Sequence, residues 1–270
     1  MVEMTKKYKM GTRRFGLINW VGAWTLYKKE TLRFLIVWVQ TIFSPLISSL
    51  LFLLVLSLAI GTGRGEMLGV SFILFLAPGL IAMQVIQQSF SHSSSSFMIG
   101  KIQGNIVDVL YAPLSAAEVT VAVSLAAVTR SFMIAAVSIL TFYVIIDVQI
   151  KHFFMLIVFT FLSSFILGNV GTIAGLWAEK FDHMASVTNF VIVPLSFLSG
   201  TFYTIDKLPD LLQKISKANP FFYMIDGFRY CFIGTSDGSI LVGTTYLVIL
   251  SLLSWFTAYY LYKKGYKIRS

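Results

Sequence analysis

FLIVWVQTIFSPLISSLLFLLVLSLAI, residues 34–60, runs for 27 residues without a charge. About 20 apolar residues in an α-helix cross roughly 30 Å of hydrocarbon, so this stretch is long enough to span a membrane. Similar stretches follow near residues 68–91, 117–146, 153–177, 185–203 and 239–262. No soluble core made from 270 residues could hide six such segments. Composition agrees, with 57% hydrophobic residues and 12% charged, where an ordinary soluble domain carries about 25% charge. Mean hydropathy is +0.80. The expected fold is an all-α polytopic membrane protein with six transmembrane helices, and a secreted, nuclear or cytosolic globular protein is excluded.

Working outward, the chain divides into residues 1–33, a tail and amphipathic helix, residues 34–262, the six-span domain, and a short basic tail at 263–270. The first long apolar run is too long for the hydrophobic part of a signal peptide, so none is expected. Basic residues near span ends stay cytoplasmic. With the N-terminus inside, fourteen lie on that side: Lys6, Lys7, Lys9, Arg13, Arg14, Lys28, Lys29, Arg33, Lys101, Lys180, Lys263, Lys264, Lys267 and Arg269. Six lie outside, namely Arg64, Lys151, Lys207, Lys214, Lys217 and Arg229, and Arg130 falls within the third span. Both termini are therefore expected in the cytoplasm. The net charge of +9 reads as topology and contact with anionic lipid, not as a nucleic-acid surface.

Three segments outside the spans have a pattern of their own. Leu17, Trp20, Val21, Trp24 and Tyr27 recur at helical spacing, with Asn19, Lys29, Glu30 and Arg33 on the other side and Leu26 as an exception. This predicts a helix lying in the inner interface, either as an anchor or as a lever against a cytoplasmic partner. In residues 97–114, FMIGKIQGNIVDVLYAPL, the residues Ile102, Ile106, Val109 and Leu110 share one helical face. Pro113 ends that helix, and Ser115 with Glu118 forms a capping box that starts the third span. Such an apolar face on the wet side of a membrane asks for a protein partner or a headgroup layer. Beyond the fifth span, one helix begins near Pro209 and stops at Asn219 and Pro220, and an apolar second helix follows at 221–233. Neither is long enough to cross, which predicts an external re-entrant hairpin with Asp226 and Arg229 as a neutralising pair.

These last segments also carry a resemblance. PLSFLSGTFYTIDKLPDLLQKISKANPFFYMIDGFRY at 194–230, FLAPGLIAM at 75–83 and KIQGNIVDVLYAPLS at 101–115 resemble the permease subunits of type 2 ATP-binding-cassette exporters, and the likeness extends over nearly the whole chain. It implies a bacterial inner-membrane protein, a homodimer of this chain, and two copies of a separate ATPase that carry the ATP and magnesium. It implies that residues 97–110 couple to the ATPase, that the helix around Trp20 and Trp24 sits beside them, and that Pro209–Ile233 cap the pathway outside. The cargo would be a drug-like amphiphile, a lipid or a lipid-linked saccharide, moved outward, since no importer-type glutamate-alanine-alanine loop occurs. No cofactor or metal site is expected on this chain.

Rival classes find little support. The chain has no GxxxxGK(S/T) phosphate loop, no GxSxG and no HExxH. His92, His152 and His183 stand at span ends, and the single cysteine, Cys231, gives no disulfide or multi-cysteine metal site. A channel would show a charged or carbonyl-rich filter motif. Channel and intramembrane enzyme remain the alternatives to a transporter. Within the spans, Ser164, Gly168, Gly171 and Gly175 form a stripe for close helix packing. Pro45, Pro78 and Pro194 mark kinks, and the serines at 93–96 read as a hydrated end to span two. Gln84, Gln87 and Gln88 share a face of span two as candidate pathway lining. Arg130 either snorkels to the inner interface or is held in a buried pair.

Overall fold

A computed structural model describes residue 16, residues 18–60 and residues 66–268. Lys6, Lys7, Lys9, Arg13, Arg14, Leu17, Arg64 and Arg269 lie outside the described residues. The described chain is helical: α1 Trp20–Ile36, α2 Ser44–Ile60, α3 Phe72–Ile102, α4 Ile106–Tyr111, α5 Ala116–Ile146, α6 Phe153–Trp177, α7 Phe181–Val187, α8 Val193–Phe197, α9 Asp210–Ala218, α10 Pro220–Ile233 and α11 Ile240–Lys263.

Helices α3, α5 and α6 pack on one another at the centre. Close approach of α3 and α6 depends on missing side chains. A Cβ at Gly171 would lie 2.5 Å from the Phe90 carbonyl oxygen, and one at Gly175 2.8 Å from that of Ser94. The predicted small-residue stripe is therefore the seat of the tightest helix pair. Helix α10 leans on α3 and α6, α11 lies along α6 and α5, α1 lies on α5, and α2 is attached mainly to α3.

Among the described residues, five helices are long and apolar enough to cross a membrane: Val39–Ala59, Phe72–Ile102, Ala116–Ile146, Phe153–Trp177 and Ile240–Lys263. The stretch expected as span 185–203 is different. It is helical from 181 to 197 through α7, a π-turn at Thr188–Ile192 and α8, and then turns at 198–203. A rise of about 25 Å falls short of the roughly 30 Å core. Its π-turn precedes Pro194, as the π-turn Val39–Phe43 precedes Pro45. A proline ring clashes with the carbonyl four residues back, and a widened turn relieves that clash.

Two further expectations change. Span two does not end at Ser91, because α3 runs on to Ile102. The serines stay helical by donating back to carbonyls, Ser94 to Ser91 at 3.3 Å and Ser95 to His92 at 3.0 Å, and they are small enough to sit against α6. Residues 97–110 are thus not one helix. They comprise the end of α3, a turn at 103–105 and the start of α4.

Candidate functional site

The two ends of the bundle and the polar seam between α1 and α3 are each built from residues distant in sequence. At the α4 end, Asn19 caps α1 by accepting from the Gly22 N–H at 2.9 Å. Its own N–H donates to Glu118 Oε1 at 2.6 Å, and its Nδ2 donates to the Pro113 carbonyl at 3.2 Å. Glu118 Oε2 accepts from the Ser115 N–H at 2.6 Å, and Ser115 Oγ accepts from the Glu118 N–H at 3.3 Å, which closes the predicted capping box. One carboxylate therefore joins the starts of α1 and α5. Lys101 Nζ donates to the Leu176 carbonyl at 2.8 Å and to that of Ala178, placing a cation on the C-terminal end of α6. Beside it, Lys267 Nζ donates to Glu179 Oε1 at 2.7 Å. That bond lowers the Glu179 pKa and raises that of Lys267, so each keeps the other charged.

Against this frame α4 presents a different face from the one expected. Ile106 is only 8% exposed and packs with Leu26, Phe97, Val119 and Val123, and Val109 leans on the same cluster. The four residues expected on one helical face are divided, Ile102 at the end of α3 and the others on α4, where a cluster within the chain covers Ile106 and Val109. Ile102, Val107, Leu110 and Tyr111 remain exposed, Tyr111 at 86%. A groove of about 370 Å³ separates α4 from α1, with Lys29 and Asp108 on its walls.

The seam begins with Glu30, which is buried. Its Oε2 accepts from Arg33 Nε at 3.1 Å and from Ser96 Oγ at 2.7 Å, and His92 Nε2 lies 4.0 Å away. Arg33 also donates to the His92 carbonyl at 2.9 Å and to Ser95 Oγ at 3.3 Å. Deeper along α3, Arg130 donates to Gln88 Oε1, Ser89 and Ser131 share a hydroxyl bond of 2.6 Å, and Ser124 donates to Asn169 at 2.9 Å.

At the opposite end, the turn after α8 is held from three directions. Gly200 has φ +75°, a conformation that glycine adopts without strain. Asn219 caps α10 by accepting from the Phe221 N–H at 3.1 Å, while its Nδ2 donates to Ser199 Oγ at 2.8 Å and to the Leu195 carbonyl at 3.1 Å. Pro220 stands in the first turn of α10, where no N–H is required. Arg229 Nη2 donates to the carbonyls of Gly200 at 2.7 Å and Thr201 at 3.3 Å, and its guanidinium lies 3.8 Å over the Phe75 ring. A Cβ at Gly79 would come within 2.9 Å of the Thr201 carbonyl oxygen. Residues from two of the quoted motifs, 75–83 and 194–230, thus meet at one point.

The ABC-2 type transporter family model matches residues 22–233. The chain belongs to the ABC-2 type transporter family. It is 31% identical over 253 residues to the inner membrane transport permease YadH of Escherichia coli strain K12, covering 94% of this chain and 99% of that one. It is 24% identical over 251 residues to nodulation protein J of Neorhizobium galegae, covering 90% and 92%. With nodulation protein J of Rhizobium meliloti strain 1021 the identity is 22% over 219 residues, covering 80% and 82%. The chain is thus a multi-pass permease of the inner membrane, the transmembrane subunit of an ABC transporter, and an ATPase is its partner.

In this permease the residues singled out by sequence fall into distinct settings. Trp20 and Trp24 are 73% and 64% exposed and stand on the wall of a cavity of about 410 Å³ shared with Val121 and Leu125 of α5. The side of α1 that looked polar faces the protein, since Glu30 and Asn19 find buried partners there, and Leu26, the exception to the stripe, is buried beside them. Gln84 is buried, and Gln87 and Gln88 are half-buried. Arg130 is turned inward to Gln88, which replaces the snorkelling geometry. Asp226 and Arg229 do not pair directly. Asp226 accepts instead from the N–H groups of Asp237 at 2.9 Å and Gly238 at 3.0 Å. The Glu30–Ser96–His92 seam was missed, although Glu30 and Arg33 one helical turn apart, opposite a serine run, were its signal.

Proposed function

We propose that this permease forms the translocation pathway of an ATP-driven exporter, as a homodimer with two copies of a separate ATPase that binds ATP and magnesium. In this reading the stretch 185–203, helical to 197 and completed by the turn at 198–203, makes the sixth crossing, both termini are cytoplasmic, and α9 with α10 forms the re-entrant hairpin in the outer leaflet. The cargo is a drug-like amphiphile, a lipid or a lipid-linked saccharide that passes between protomers, with Gln84, Gln87 and Gln88 towards the path. ATP binding favours one of two conformations, and the difference in nucleotide affinity between them supplies the bias.

The observation that supports this most is the end carrying α4. There α1, α5, α6 and the C-terminal turn are tied together by Glu118, Lys101 and Lys267, while the end of α3 displays Ile102 and α4 displays Val107, Leu110 and Tyr111, uncovered by the other described residues. Burying one such side chain contributes up to about 1.5–3 kcal/mol. The double variant Leu110→Asp with Tyr111→Asp changes only exposed positions, so folding and insertion should survive while the ATPase is lost on co-purification. Full recovery of the ATPase, with unchanged hydrolysis in reconstituted membranes, would remove α4 from the coupling role.

A further inference from the structure

We propose that the cleft between α5 and α6 holds a membrane phospholipid, bound through one acyl chain and a zwitterionic headgroup that carries a primary amine. The cleft is about 620 Å³ and is lined by Ala136, Ile139 and Leu140 of α5 and by Leu156 and Ile157 of α6. Its α5 wall extends from Phe132 to Tyr143, a rise of about 16 Å. That is roughly half of a 30 Å hydrocarbon core, the depth of one leaflet.

The shape selects the occupant. A volume of about 620 Å³ spread over roughly 16 Å makes a long, narrow apolar slot. An extended hydrocarbon chain fits such a slot along its length, and the charged groups at its end select a lipid over a second copy of the chain.

At the α10 end the cleft adjoins a second cavity of about 310 Å³, with Val148 and Gln149 on the walls of both. Asp147 and Lys151 stand in that second cavity, and both are exposed. Lys151 Nζ donates to the Ile233 carbonyl at 2.5 Å, which leaves two N–H groups for a phosphate oxygen. Asp147 Oδ2 accepts from Gln149 Nε2 at 3.3 Å, and Oδ1 is open to an ammonium. Helices α5 and α10 both end here, so their carbonyl termini add negative potential beside Asp147. One cation and one carboxylate above an apolar slot match phosphate and amine above an acyl chain.

The test is native mass spectrometry of the permease purified in mild detergent and supplied with equal amounts of phosphatidylethanolamine and phosphatidylglycerol. Wild type should retain lipid and favour the ethanolamine headgroup by roughly two- to fivefold, the ratio expected of an exposed ion pair. Ala136→Trp should fill the slot from its exposed side and release the lipid. Asp147→Asn should keep the lipid and lose the headgroup preference, because asparagine accepts the left-handed backbone found there, φ 52°. Equal retention of the two headgroups by wild type, or unchanged lipid on the Ala136→Trp variant, would overturn the proposal. So would an interchain disulfide in Leu140→Cys, which would place a second copy over the cleft.

Discussion

Arg229 shows how a charge is accommodated among packed helices without a carboxylate in contact. Its guanidinium has two carbonyl acceptors and an aromatic face, and it holds the turn at Gly200 and Thr201 by them. Its neighbour Asp237 is less well placed. Burial pushes that carboxyl up to about 6, with Arg229 opposing the rise and Asp226 and Asp206 adding to it. A folded-state value above the unfolded one means that the native protein holds a proton its unfolded chain has released. Stability contributed by this group is therefore present at low pH and lost as pH rises from about 4 to about 6. The variant Asp237→Asn should match wild type near pH 4 and exceed its Tm by a few degrees near pH 7.5. A thermal-shift series in detergent across that range checks this, and parallel pH curves for the two proteins would refute it.

At the scale of elements, α10 is seated by an absence. A Cβ at Gly227 would lie 2.1 Å from Cε1 of Phe159, a fully buried ring of α6. Gly227→Ala must displace that ring or move α10 away from α6, at a cost of about 1–3 kcal/mol. The expected result is a Tm several degrees lower, measured on the purified permease, and an unchanged Tm would show that the seat is loose. The sequence made some elements plain and disguised others, for physical reasons. Helix α6 could be placed at Phe153–Trp177 because charges or polar residues bound an unbroken apolar run. The run 185–203 looked equally apolar, yet Pro194 and the turn at Gly200 shorten it, and hydropathy does not register either effect. The end of α3 was hidden by serines, which resemble a loop until their back-bonding and their contact with Glu30 are seen. For α4, periodicity marks an apolar face without saying whether it is covered by a partner or by its own chain, and Ile106 belongs to the second case. The residues around Gly200 were legible as motifs, but only the fold shows Asn219, Arg229 and Gly79 meeting there.

For the whole molecule, α3 is the rod that connects the two ends. Lys101 near one terminus sits on the end of α6, and Phe75 near the other lies under Arg229. Its 31 residues rise about 46 Å, and it is the most deeply buried of the five long helices. In the proposed coupling, movement started at α4 reaches α10 through α3 and α6 moving as one body, a pair held closely by the contacts at Gly171 and Gly175. Gly175→Ala tests this directly. The added Cβ would lie 2.8 Å from the Ser94 carbonyl oxygen and 3.0 Å from Phe97 Cβ, so the helices must part by a few tenths of an ångström near the α4 end. That shift leaves Leu110 and Tyr111 exposed as before, and the ATPase should still co-purify in full. Hydrolysis should continue at its basal rate but lose several-fold of its response to cargo, because the two ends no longer share one rigid pair. This is the opposite signature to the variant carrying Leu110→Asp and Tyr111→Asp, in which the ATPase itself is lost. A Gly175→Ala permease that keeps both its ATPase and its full cargo response would show that the signal travels by a route other than the α3–α6 pair.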